Sequence, residues 1–154
     1  MPVCYQLVGV PGSGKSTWAN HQSTIKNALV VSTDYYVEKF ARRLGCTYHE
    51  VFESVMPLAI KLMMRRVRLA QRKKIDIIWD QTSTTTSSRS RKFQILSDYY
   101  HVAVVFQTPA PDLLEQQLLS RPNRVIPKNV VANMITHFVA PSKNEGFREI
   151  WYIQ

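Results

Sequence analysis

The chain has 154 residues, 45% of them hydrophobic and 20% charged, with a formal net charge of +9. That length suits one domain with a substantial core and is short for two, so a single domain over residues 1–154 is expected. No apolar run approaches the roughly 20 residues of a membrane span, and Cys4 and Cys46 are too few for a disulfide framework.

These features predict a cytoplasmic protein with reduced thiols, no membrane partner and no signal peptide before the first strand. No Cys/His cluster has zinc spacing. The basic balance points to a polyanionic partner beyond any nucleotide, or else to a merely soluble basic surface.

In chain order, Val3, Cys4, Tyr5, Leu7 and Val8 read as a buried strand. It leads into Gly9-Val10-Pro11-Gly12-Ser13-Gly14-Lys15-Ser16-Thr17, which fits the phosphate-loop pattern G-x-x-x-x-G-K-[S/T] with no mismatch. A helix is expected over 15–26. The glycines let consecutive N–H groups turn into one concavity, and the helix N-terminus adds its positive dipole end. Pro11, Gly12, Ser13, Gly14, Lys15, Ser16 and Thr17 are therefore expected to hold the phosphates of a nucleoside triphosphate. Lys15 should reach the β/γ-phosphates, and the Ser16 hydroxyl should ligate Mg²⁺.

A second strand is expected over 28–31, placing Asp34 at a strand's C-terminal end, where ligands bind in open α/β sheets. A helix over 35–44 should be capped by Gly45. The stretch 49–74 reads as a long helix interrupted or kinked near Pro57. On a helical wheel Lys61, Arg65, Arg68 and Arg72 form one stripe, with Ala59, Leu62, Met63, Val67, Leu69 and Ala70 opposite. The segment from Lys61 to Lys74 holds seven basic residues and no acidic one. It is either a solvated face or a track for a nucleic-acid backbone.

A third strand over 75–79 ends at Asp80. The Thr/Ser run from Thr82 to Ser88 is expected as a site loop leading into a helix, with Arg89, Arg91 and Lys92 near its start. A fourth strand is expected over 101–106, a helix over 111–119 and another over 127–138, with a last strand over 147–153. Strands alternating with helices predict an α/β fold with a mainly parallel sheet and helices on both faces.

The short chain lacks a guanine-reading N-K-x-D signature and carries an arginine-bearing loop between two late helices. Both features favour a small P-loop kinase, nucleoside-kinase-like with a lid. Arg121 and Arg124 would close over the transferring phosphoryl group. Asp34 is the candidate base that orients an acceptor hydroxyl and takes its proton. Asp80 would hold Mg²⁺ or position the acceptor. Lys15, Asp34 and Arg121 are thus the candidate catalytic residues, with ATP and Mg²⁺ implied.

With these residues in view, the chain resembles the 5′-hydroxyl polynucleotide kinases, in phage enzymes and in the kinase half of the animal DNA-repair enzyme. Pro11 to Trp18 matches the phage form of the loop. Asp34 falls where that family has its N-R-D base. Ile78-Trp79-Asp80-Gln81-Thr82 resembles I-x-D-N-T, and Ser88-Arg89-Ser90-Arg91 resembles S-R-x-R. Phe138 to Ser142 with Glu145-Gly146-Phe147 resembles F-x-A-P-T-x-x-E-G-F, which implies that residues 141–143 lie near the adenine.

The resemblance implies transfer of the γ-phosphate of ATP to the 5′-OH end of DNA or RNA, with nucleic acid as partner. Two departures stand out. Ser32-Thr33 replaces Asn-Arg before the base, and Val37 stands where the phage form has an acceptor-phosphate arginine, leaving Lys39, Arg42 or Arg89 to substitute. There is no D-x-D-G-T phosphatase motif. The competing expectations are a small-molecule kinase acting on a nucleoside, nucleotide or sugar, and a non-catalytic nucleotide-binding tether.

Overall fold

The computed structural model describes residues 1–121 and 126–154. Strand β1 (Val3–Val8) lies at the centre of a five-stranded sheet, and its side chains feed cores on both faces. Cys4 packs with Ile77, Trp79, Met63, Val67 and Ala70 on one side. Tyr5 and Leu7 pack with Ala19, Ile78, Val102 and Val104 on the other. A strand buried on both faces calls for a near-continuous apolar run, which β1 supplies except at Gln6, whose buried side-chain amide lies 3.1 Å from His101 Nδ1.

The remaining strands are β2 (Leu29–Val31), β3 (Ile77–Trp79), β4 (Tyr100–Phe106) and β5 (Glu149–Ile153). Their spatial order is β2-β3-β1-β4-β5. Every pairing is parallel, with Cys4 opposite Ile77 on one side of β1 and opposite His101 on the other. Parallel neighbours need long crossovers. These are supplied by α1 (Lys15–Lys26), α2 (Thr33–Leu44), α3 (Tyr48–Lys73), α4 (Thr86–Ile95), α5 (Pro111–Leu119) and α6 (Lys128–Thr136). Helices cover both faces, as the alternating pattern predicts. Among the described residues no helix is long and apolar enough to cross a membrane.

Several boundaries differ from the sequence reading. Helix α2 begins at Thr33, capped by extended Ser32, so Asp34 sits in a helical first turn rather than at a strand end. A carboxylate there is favoured by the helix dipole. Gly45 ends α2 in the left-handed region (φ 66°), as expected. Helix α3 runs unbroken for 26 residues through Pro57, starting from a reciprocal Thr47/Glu50 capping box. An internal proline costs about 3 kcal/mol. The cost is offset because Val51 before it and Ala59 after it are both buried against α2 residues Val37 and Ala41.

Leu69, expected on the inner face, is instead exposed. Strand β3 begins two residues late, at Ile77; just ahead of it the Asp76 carboxylate accepts from the Val3 amide at 2.8 Å and its carbonyl accepts from the Leu29 amide at 2.8 Å. Helix α6 starts after its N-cap Pro127 and ends at Thr136, short of Phe138. Strand β5 begins at Glu149, with Phe147 buried just ahead of it.

Candidate active site

The loop after β1 is built for phosphate. Gly12 (φ 82°) and Gly14 (φ 97°) take left-handed conformations that other residues rarely adopt. A Cβ on Gly9 would come within 2.7 Å of Ser13 Oγ and 3.1 Å of Phe106 Cβ, so the loop leaves little room for a side chain there. Nothing lies within 4 Å of the point to which a Cβ of Gly14 would project, which leaves the concavity open over the first turn of α1. Ser13 Oγ is buried with no hydrogen-bond partner among the described residues. An open nest of amides beside an unpaired hydroxyl fits a phosphate chain. Lys15 is buried, and its Nζ donates to Val10 O at 2.9 Å, so it stays against the loop it serves.

Three strand ends bring the rest of the site to the same edge of the sheet. Asp80 follows β3, the parallel neighbour of β1, and its Oδ2 accepts from Ser16 Oγ at 2.9 Å. The Gly9 amide donates to Thr82 O at 2.9 Å and fastens the phosphate loop to the segment after Asp80. Mg²⁺ commonly uses one or two carboxylates together with substrate phosphates. The Ser16–Asp80 pair fits that requirement. Among the described residues no group of three or more His, Cys, Asp and Glu side chains forms a metal cage.

Asp34, from the first turn of α2, lines a recess together with Pro11, Lys15, Ser16, Asp80 and Arg121. These six residues come from four segments of the chain, Arg121 arriving from just past the end of α5. Helix α5 is seated on the loop by Leu114 and Leu118, which lie 3.1–3.3 Å from where a Cβ of Gly12 would stand. Arg124 lies outside the described residues.

The recess opens into a cleft of about 760 Å³. Its walls include Tyr35, Tyr36, Tyr48, Arg42 and Arg66, which the sequence reading either missed or, for Arg42, held only as a substitute. Tyr48 donates its hydroxyl to Asp34 Oδ1 at 2.5 Å. Arg66 Nε donates to Val30 O at 3.1 Å, which turns this side chain toward the cleft. Nothing in local sequence marks a tyrosine fourteen residues after Asp34, since the pairing exists only once α2 and α3 pack. Lys39 lies against Tyr35, 6.0 Å from the ring centroid.

Arg89 requires a correction. Expected at the acceptor end, it is instead fully buried (0% exposed). Its Nε and Nη2 donate to the two Glu145 carboxylate oxygens at 2.9 and 3.2 Å, and Nη1 donates to Ser83 O at 2.9 Å. With Nε, Nη1 and Nη2 all engaged in this way, Arg89 ties α4 and the loop after Asp80 to the turn Lys143–Glu145. Val37 is likewise fully buried. Lys92 is buried beside Arg89, donating to Ser83 Oγ at 2.7 Å and Ser88 O at 3.2 Å. Burial, with help from the Arg89 and Arg91 charges, pulls its pKa down to about 8. The Cys4 thiol, buried nearby, is pushed upward by desolvation and is inert as a nucleophile.

A phosphate-binding loop at the carboxyl edge of a parallel sheet, facing a carboxylate-bearing cleft, defines a kinase-like P-loop nucleotide-binding fold. The chain belongs to the AAA domain family, whose family model matches residues 5–141. Solved structures share the fold. A candidate kinase from Chloroflexus aurantiacus is 17% identical with a TM-score of 0.72, over 99% of this chain and 84% of that one. A chain of the Pnkp1/Rnl/Hen1 RNA repair complex is 22% identical with a TM-score of 0.68; the match covers 88% of this chain but only 43% of that longer one. A gluconokinase from Sinorhizobium meliloti is 16% identical with a TM-score of 0.59, over 99% and 82% of the two chains.

Proposed function

We propose that the protein is a Mg²⁺-dependent kinase that moves the γ-phosphate of ATP to the 5′-hydroxyl end of a polynucleotide. The observation that carries this reading is the cleft in which Asp34 stands beside the Ser16–Asp80 pair, walled by three tyrosines and by Arg42 and Arg66. Aromatic rings and guanidinium groups suit a base and a phosphodiester.

The loop amides, Ser13 and Lys15 hold the triphosphate of ATP. Bound Mg²⁺ would offset phosphate charge, and Ser16 and Asp80 are the residues to hold it. Asp34, fixed through Oδ1 by Tyr48, takes the proton of the acceptor hydroxyl. As that oxygen bonds to the γ-phosphorus, the bond from phosphorus to the β,γ-bridging oxygen breaks and ADP departs. Lys15 and Arg121 counter the charge on the transferring group, the part arginine plays in related reactions.

The test is transfer of labelled γ-phosphate from ATP with Mg²⁺ to a 5′-OH oligonucleotide, its 5′-phosphorylated twin, and a mixture of nucleosides, nucleoside monophosphates and gluconate. Label confined to the 5′-OH oligonucleotide supports the proposal. Label confined to the small molecules replaces it with a small-molecule kinase, and no turnover at all replaces it with a nucleotide-binding module.

A further inference from the structure

The C-terminal half of α3 carries a row of charge that the chemistry of the cleft does not use. Lys61, Arg65, Arg68 and Arg72 are all exposed. At about 100° per residue they fall on one stripe, opposite the buried Ala59, Met63, Val67 and Ala70. Their steps of three or four residues put successive cations about 5–6 Å apart along roughly 16 Å of axis.

Two ordinary explanations fail. Solvated helix faces are usually laced with opposite charges. Yet among the described residues no ion pair involves these four, and the segment from Lys61 to Lys74 contains no carboxylate. Complementing the helix dipole explains cations in the last turn, Arg72 and Lys73, because the effect fades within one turn. Lys61, Arg65 and Arg68 lie further in.

The row is also continuous with the cleft. Going round the helix from Arg66, which lines the same cleft as Asp34, one meets Leu69 and Leu58, then Arg65, then the rest of the row. Leu69 (37%) and Leu58 (45%) are exposed apolar side chains between two sets of guanidinium groups. Neighbouring Arg65 and Arg66 thus lie about 100° apart on the helix, Arg66 on the side that lines the cleft and Arg65 in the row.

We infer that this face of α3 is a track for the sugar-phosphate backbone of a single polynucleotide strand, carrying the acceptor away from its 5′ end in the Asp34 cleft. The inference rests on the polynucleotide-acceptor reading above. At a stacked rise of 3.4 Å per nucleotide, the row spans about five phosphates. The cations bind phosphate without reading bases, so the track is indifferent to sequence.

The experiment compares wild type with the variant carrying Lys61→Gln, Arg65→Gln, Arg68→Gln and Arg72→Gln, its folding checked by circular dichroism. Anisotropy of a labelled 5′-OH 12-mer is measured across a NaCl titration. Kinase rates are measured with the 12-mer and with a 5′-OH dinucleotide. Single-strand binding weakens with salt at a log–log slope of about 0.7 per phosphate contact. The quadruple variant should therefore lose about 2–3 from the slope, and kcat/KM for the 12-mer should fall toward that of the dinucleotide, whose rate is unchanged.

Single Arg65→Gln and Arg68→Gln variants should each lose about 0.7, which keeps the test open if the quadruple variant is unstable. A control with Arg43→Gln, Lys128→Gln and Arg148→Gln should move the slope little. Equal phosphorylation of both acceptors with an unaltered slope overturns the track while leaving the kinase reading intact. Failure of any oligonucleotide to accept phosphate overturns both.

Discussion

The Tyr48 hydroxyl donates a hydrogen bond of 2.5 Å to Asp34 Oδ1, joining the first turn of α3 to the first turn of α2 inside the cleft. One carboxylate oxygen is thereby fixed, and the whole group is aimed by two packed helices rather than by a loop. Hydrogen bonds to charged groups are worth about 1.5–3 kcal/mol. Tyr48→Phe should accordingly slow phosphoryl transfer at saturating substrate by roughly tenfold or more, with ATP affinity preserved. Asp34→Ala, which removes the proposed base, should cost about 10²–10⁴-fold. Single-turnover rates alongside nucleotide titration check both. Loss of ATP binding in folded Asp34→Ala would reassign that residue to the nucleotide.

The Ser16–Asp80 bond carries a second expectation. If these residues hold Mg²⁺, Asp80→Asn keeps the shape but removes the charge. The Mg²⁺ concentration for half-maximal rate should rise by about 10–100-fold, the range seen when groups around a metal are altered. An unchanged Mg²⁺ curve with a raised acceptor KM would instead place Asp80 on the acceptor.

What could be read in advance follows from the range of the interactions. The phosphate loop is a local device, with strand, turn and helix adjacent in sequence, and its extent from Val3 to Lys26 was legible residue by residue. Asp80 was legible through topology, because β3 must lie beside β1 for a crossover fold of this kind. Tyr48 and Arg66 were not, since what places them in the cleft is the packing of α3 against α2 and β2, with no local signal. Arg89 was misread for a related reason. A charged residue in a Ser/Thr-rich stretch looks solvent-facing until its partner, Glu145, arrives from a turn 56 residues away.

That buried fork makes its own prediction. Removing one partner of a buried ion pair costs about 3–5 kcal/mol because the survivor is stranded. Arg89→Met and Glu145→Gln should each lower the urea midpoint strongly. Combining them should cost much less than the sum of the two. An acceptor role would show differently, as a raised acceptor KM in Arg89→Lys with the midpoint near wild type. The burial of Arg89 predicts the reverse, a lower midpoint and an unaltered acceptor KM.

Lys92 gives the last prediction, through pH. Its pKa is about 8 in the folded protein against an ordinary 10.5, chiefly because burial opposes its charge. The unfolded chain therefore binds the extra proton more tightly between those two values. Stability attributable to Lys92 must rise as pH climbs from about 8 to 10.5, and below pH 8 the full cost of burying the ammonium is felt. Cys4 and Tyr99, both raised by burial, push the other way at alkaline pH, so the total curve mixes signs. Subtracting the Lys92→Met variant isolates the lysine. The wild-type minus variant difference in unfolding free energy should grow with pH across this window, by on the order of 3 kcal/mol. Denaturant titrations at pH 7, 9 and 10.5 supply the measurement. A difference flat across that range would mean that the ammonium, held by Ser83 Oγ and Ser88 O, is as well solvated inside as out.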